Sequence, residues 1–138
     1  MNYSLFIDNR ETEHALISAQ IRIFDVHTNP IFAKSGEEAL KILMETHQNG
    51  QFPTVIVLDI NLCQKHSFQL IKDFEANYFS DHPNTKIYFL ADRPISLDEK
   101  KCINYKSVYG FYQRPFTKDM FVEMQGNTVP VVKVAVTD

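Results

Sequence analysis

Five short runs that are apolar on both faces constrain this chain more than any other feature: "YSLFI" at 3–7, "PIFA" at 30–33, "TVIVL" at 54–58, "KIYFLA" at 86–91 and "VYGFY" at 108–112. A strand with alternating apolar residues can face water on one side. One that is apolar at nearly every position must be covered on both sides, which is the situation of a strand inside a parallel sheet. Helical patterns separate the runs. Ser35 and Glu38 fit the S-x-x-E capping box and predict a helix from near Gly36, with Ala39, Leu40, Ile42 and Leu43 as its apolar face. Ser96 and Glu99 form a second such box, and Pro94 suits the loop before it. Leu16, Ile17, Ile21 and Phe24 mark the face of a first helix, and Phe68, Ile71, Phe74 or Glu75, and Tyr78 that of a third. Met120, Phe121 and Met124 suggest a short last one. Strand alternating with helix from end to end predicts an α/β fold, a doubly wound five-stranded parallel sheet with helices on both faces.

At 138 residues the chain is expected to form one domain over 1–125, followed by a 126–138 tail. It is 44% hydrophobic and 22% charged with a formal net charge of -3, a balance that leaves no electrostatic footprint for nucleic acid. The opening "MNYSLFIDNRETEHAL" lacks a basic segment leading into an apolar one, and no apolar run approaches the ~20 residues of a membrane span. A cytoplasmic protein without membrane contact is the expectation. Cys63 and Cys102 lie far apart, outside any CxxC spacing, and the five histidines show no ligand spacing. Free thiols and surface imidazoles are therefore expected. The last stretch, "QGNTVPVVKVAVTD", contains a low-charge strand pattern, "VVKVAV", that suits a sheet edge or pairing with a second copy in a homodimer, with a frayed terminus as the plain alternative.

In doubly wound sheets ligands bind beyond the carboxyl ends of the strands, at the point where the strand order reverses. The first strand ends in Asp8-Asn9, the third in Asp59, the fourth in Ala91-Asp92, and the fifth in Gln113-Arg114-Pro115. In the flavodoxin-like order 2-1-3-4-5 the first and third strands are neighbours, so Asp8 and Asp59 face each other across the crevice. Two carboxylates and a guanidinium then share one pocket.

At these residues the chain resembles the receiver domains of bacterial two-component response regulators, over roughly residues 3 to 124. The likeness rests on "LFIDN", "SGEEAL", "VIVLDINL", "KIYFLAD" and "GFYQRPFT", five motifs in the right order and at the right separations. The resemblance implies that Asp59 accepts a phosphoryl group from a phosphohistidine on a sensor histidine kinase or phosphotransfer protein, and that the chain then acts on a downstream protein target. It implies Mg²⁺ held at Asp8, Asn9, Asp59 and Asn61, the last through its backbone carbonyl, and Arg114 as the phosphate-binding cation.

Several positions depart from the family's pattern. Asn9 stands where the family places a carboxylate, which lowers the expected Mg²⁺ affinity. Ala91 replaces the Ser or Thr that bonds a phosphoryl oxygen, and Phe111 holds the aromatic switch position without a phenolic oxygen. Arg114 replaces Lys, a planar fork for a point charge. Cys63 and Ser67 stand where the family has Pro and Gly, and the resemblance implies a cis peptide at Pro115. Three functions fit these residues. The first is a stand-alone receiver in a phosphorelay, acting by contact and not as an enzyme. The second is a degenerate receiver that binds a partner without phosphorylation. The third, an aspartyl-phosphate hydrolase of the haloacid dehalogenase type, wants a second acid where Asn61 stands.

Overall fold

The computed structural model describes residues 2–64, 67–100 and 104–126, with the side chains of 63, 64, 67, 68 and 98 outside the description. The strands are β1 (Tyr3–Ile7), β2 (Asn29–Ala33), β3 (Val55–Asp59), β4 (Lys86–Ala91) and β5 (Val108–Gln113), each close to its expected place. All pair in parallel, in the order β2-β1-β3-β4-β5, so the expected doubly wound sheet is the fold observed. The expected Phe68 contact and the tail beyond Gly126, including the strand pattern at 131–136, lie outside what is described.

Period-two alternation divides each strand between two cores. Leu5, Ile7, Ile56, Leu58, Ile87 and Phe89 point to one face. There they pack on Ala39 and Leu43 of α2 (Gly36–Asn49) and on Leu70, Ile71 and Phe74 of α3 (Ser67–Asn77). Phe6, Val55, Val57, Tyr88 and Leu90 point to the other. Their partners are Ile17 and Ile21 of α1 (Glu11–Ile23) and Phe121 and Met124 of α5 (Lys118–Gly126). A register shift between Ile87 and Tyr88 of β4, opposite Val108 and Gly110, puts one extra residue into β5. That extra residue reverses the alternation, so Tyr109 and Tyr112 face the α1 and α5 side while Phe111 packs on the α2 and α3 side.

Both serines cap their helices, and the Ser96–Glu99 box is fully reciprocal. The Ser35 hydroxyl accepts from the Glu38 N–H at 3.1 Å, and the Glu38 carboxylate accepts from the Lys34 N–H at 2.9 Å, one residue ahead of the cap. Ser96 and Glu99 bond reciprocally at 3.2 and 2.9 Å and open α4 (Leu97–Lys100). Phe24 departs from expectation. It follows the last residue of α1, the next residue Asp25 has φ 51°, and Phe24 is half exposed under the Lys118 ammonium. Periodicity carried the apolar face one step past the point where the chain turns. Among the described residues no helix is long and apolar enough to cross a membrane.

Candidate functional site

Parallel pairing aligns Ile7 with Leu58, so the residues that follow them, one just past β1 and one at the last position of β3, stand side by side at the sheet's carboxyl edge. These are Asp8 and Asp59, each 3% exposed. Arg114, one residue beyond β5, bridges them: its Nη2 lies 2.6 Å from Asp8 Oδ2 and 3.4 Å from Asp59 Oδ1. Its Nη1 pairs with Glu13 in the first turn of α1. The Arg114 N–H donates to the Ala91 carbonyl at 2.8 Å, which anchors the guanidinium's stem to the end of β4. The Arg114–Pro115 peptide is cis. Ala91 is fully buried beside the cluster, and Phe111 is half-buried. Asn9 lies exposed at the bend after β1.

Arg10 was not anticipated from the sequence, and it is central to the arrangement. Its N–H and its Nε both donate to Asp8 Oδ1, at 2.9 and 3.3 Å. The backbone bond is the Asx turn that an Asp two residues earlier commonly makes, and it was the one local signal available. Arg10 Nη2 reaches to 3.5 Å from Glu13 Oε1 and 4.0 Å from Asp59 Oδ2, yet it is buried and makes no hydrogen bond. His14 also joins: its Nε2 lies 2.8 Å from the Asp8 carbonyl, which accepts only, so the ring proton sits on Nε2. The His14 ring stacks on Phe32.

A third arginine lies beside the site. Arg93, after β4, places a two-pronged fork on Glu99 at 2.7 Å per prong, and its Nη2 also donates to Asn61 Oδ1 at 2.7 Å. The Asn61 N–H in turn donates to Asp59 Oδ1 at 3.2 Å. Arg93 therefore joins the segment after β3 to the start of α4. Glu99 lies six residues on, but Asn61 is brought to it from the end of β3 by the fold.

Burial raises the pKa of Asp59, and Asp8 adds to that, while the Asn61 amide, Arg114 and Arg10 oppose it. The pocket holds three carboxylates (Asp8, Glu13, Asp59) and two guanidiniums (Arg10, Arg114). This donor set does not fit a divalent cation. Both oxygens of Asp8 already accept from arginine, Asp59 Oδ1 accepts from Asn61, and Asn9 is turned to solvent. Among the described residues no three His, Cys, Asp or Glu side chains are grouped to hold a metal.

No protein-family model and no curated protein matches the sequence. Solved structures do share the fold. A two-component response regulator from Cytophaga hutchinsonii is 21% identical, covering 90% of this chain and 93% of that one, with a TM-score of 0.77. One from Legionella pneumophila is 17% identical over 90% of this chain and 95% of that one, at 0.73. The Mn(2+)-bound form of response regulator Rcp1 is 18% identical over 91% of each chain, at 0.65. At these identities the likeness is one of fold.

Proposed function

We propose that this chain, which has the fold of response-regulator receiver domains, is a phosphorelay signalling protein whose Asp59 accepts a phosphoryl group from a phosphohistidine on a sensor kinase or phosphotransfer protein. The observation that carries the reading is Asp59 itself: a buried carboxylate at the end of a rigid central strand, with a guanidinium 3.4 Å from one oxygen. In the transfer an Asp59 oxygen forms a bond to phosphorus as the bond from phosphorus to the donor imidazole nitrogen breaks. The electron pair stays on that nitrogen, which takes up a proton. Arg114, with five donors in a fixed fork, faces the charge on the equatorial phosphoryl oxygens. The output is contact with a protein target.

Ala91 favours a second reading. It is fully buried where a hydroxyl would answer a phosphoryl oxygen, and the pocket's carboxylates are already paired. A receiver of this kind works as a binding module in one fixed state. Incubation with acetyl phosphate, read by intact mass against Asp59→Asn, separates the two. A single phosphoryl adduct lost in the variant supports transfer, and no adduct on folded protein, with or without Mg²⁺, supports the fixed module.

A further inference from the structure

The pocket's second arginine has no role in the reading above. Three observations bear on it, the second of which it shares with the Nε of Arg114. Arg10 binds Asp8 through its backbone and its Nε, which fixes its stem beside Asp8 although the side chain as a whole is 41% exposed. Its terminal Nη2 is buried without a hydrogen bond, although a buried guanidinium nitrogen left unbonded is costly. That nitrogen stands between two carboxylates, 3.5 Å from Glu13 and 4.0 Å from Asp59, closer than a screening layer of water allows at full strength. A positive charge at this place does electrostatically what a metal does at a carboxylate cluster. It also takes up the Asp8 oxygen that such a metal would need.

We propose that the Arg10 guanidinium is the pocket's built-in counter-cation: it stands in for a divalent metal, excludes Mg²⁺ from the Asp8–Asp59 pair, and offers its unbonded Nη2 to an oxygen of a phosphoryl group on Asp59. The last clause rests on the phosphoacceptor reading; the exclusion of metal does not. Asp8 is neutralised twice, by Arg10 on Oδ1 and by Arg114 on Oδ2, so an incoming divalent ion must displace one arginine and meet the charge of both. An oxyanion meets the opposite field at Nη2, where a donor is already desolvated and aimed. The expected behaviour is phosphorylation that does not depend on metal.

The test combines Mg²⁺ titration by calorimetry with acetyl phosphate labelling in EDTA and in Mg²⁺, on the wild type, Arg10→Ala and Arg10→Lys. The wild type is expected to bind no Mg²⁺ in the millimolar range and to label equally in EDTA and in Mg²⁺. Arg10→Ala is expected to gain Mg²⁺ affinity by at least about tenfold, as removal of a like charge at this distance predicts, and to label only with the metal. Arg10→Lys keeps the charge and continues to exclude Mg²⁺; it also serves as the folded comparison if the alanine variant melts. Saturable Mg²⁺ binding to the wild type overturns the proposal, as does an Arg10→Ala variant that still binds none. Labelling of the wild type only with Mg²⁺ overturns it while leaving Asp59 as acceptor. Absence of label under both conditions removes the acceptor reading alone, and the Mg²⁺ titration then decides the role of Arg10.

Discussion

At the end of β3, burial raises the pKa of Asp59 and the Asp8 charge adds to it, while the Asn61 amide, Arg114 and Arg10 pull the other way. The native state therefore holds the Asp59 proton to higher pH than the unfolded chain does, and stability falls as pH rises from the ordinary carboxylate value through the raised one. Asp59→Asn removes that slope. In urea titrations it is expected to stabilise the fold at neutral pH by on the order of 1 kcal/mol, a modest gain because two arginines lose a partner. Glu99 behaves in the opposite sense. The Arg93 fork, against the effect of burial, brings its pKa down to about 2. Its contribution is complete above the ordinary Glu value and is lost as pH falls toward about 2. Glu99→Gln is expected to cost about 1–2 kcal/mol at neutral pH, a cost that shrinks below the ordinary Glu value and becomes small only near pH 2, measured by the same titration. Asp8, Asp59 and Arg114 were legible in the sequence because strand ends converge in this fold. Arg10 and Arg93 were not, because a loop arginine near acids in the sequence reads as an ordinary surface pair, and the partners that tie each to the site, Asp59 and Asn61, are brought to it by β3.

Helix starts are written locally, in residues three apart, and both serine caps formed where the sequence placed them. Helix ends are harder to read. Gly50 closes α2 at φ 77°, a left-handed turn that lets its N–H reach the Thr46 carbonyl. α1 ends without a glycine, on Phe24 and Asp25, and for that reason periodicity overran it. Each cap carries its own prediction. Ser35→Ala leaves the Glu38 N–H without its acceptor and is expected to lower stability by about 1 kcal/mol. Gly50→Ala is expected to cost about the same for a different reason: a Cβ there meets no atom within 4 Å, so the penalty is the backbone angle alone. Thermal melting of the two single variants and the double tests both. Because the sites sit at opposite ends of one helix, the losses are expected to add. The shift in β5 belongs to this scale too. "VYGFY" alternates no differently from a regular strand in the sequence, yet one extra residue decides which core receives Phe111.

The two cores are separate sets of side chains that share a single sheet, and this bears on how the molecule unfolds. Phe74 of α3 is fully buried in one core and Phe121 of α5 in the other. Neither helix touches the opposite face of the sheet, but each strand contributes to both cores: Leu5 and Phe6, Ile56 and Val57, Phe89 and Leu90 are adjacent residues pointing opposite ways. Uncovering one face thus leaves strands whose other face still requires a sheet that has lost half its support. The site adds a tie across the layers, since Arg114 after β5 holds Asp8 of β1 and Glu13 of α1 at once. Phe74→Ala and Phe121→Ala are each expected to cost about 3–5 kcal/mol, the range for deleting a buried aromatic ring. Each variant is expected to unfold in one urea transition. Far-UV circular dichroism follows all the helices, whereas Tyr88 sits wholly in the α1 and α5 core and, with Tyr109 and Tyr112 beside it, weights tyrosine fluorescence toward that face. If the sheet couples the cores, the two signals superimpose for both variants. If Phe74→Ala shifts the circular dichroism transition to lower urea and leaves the fluorescence transition in place, the α2 and α3 face unfolds by itself and the shared-sheet argument fails.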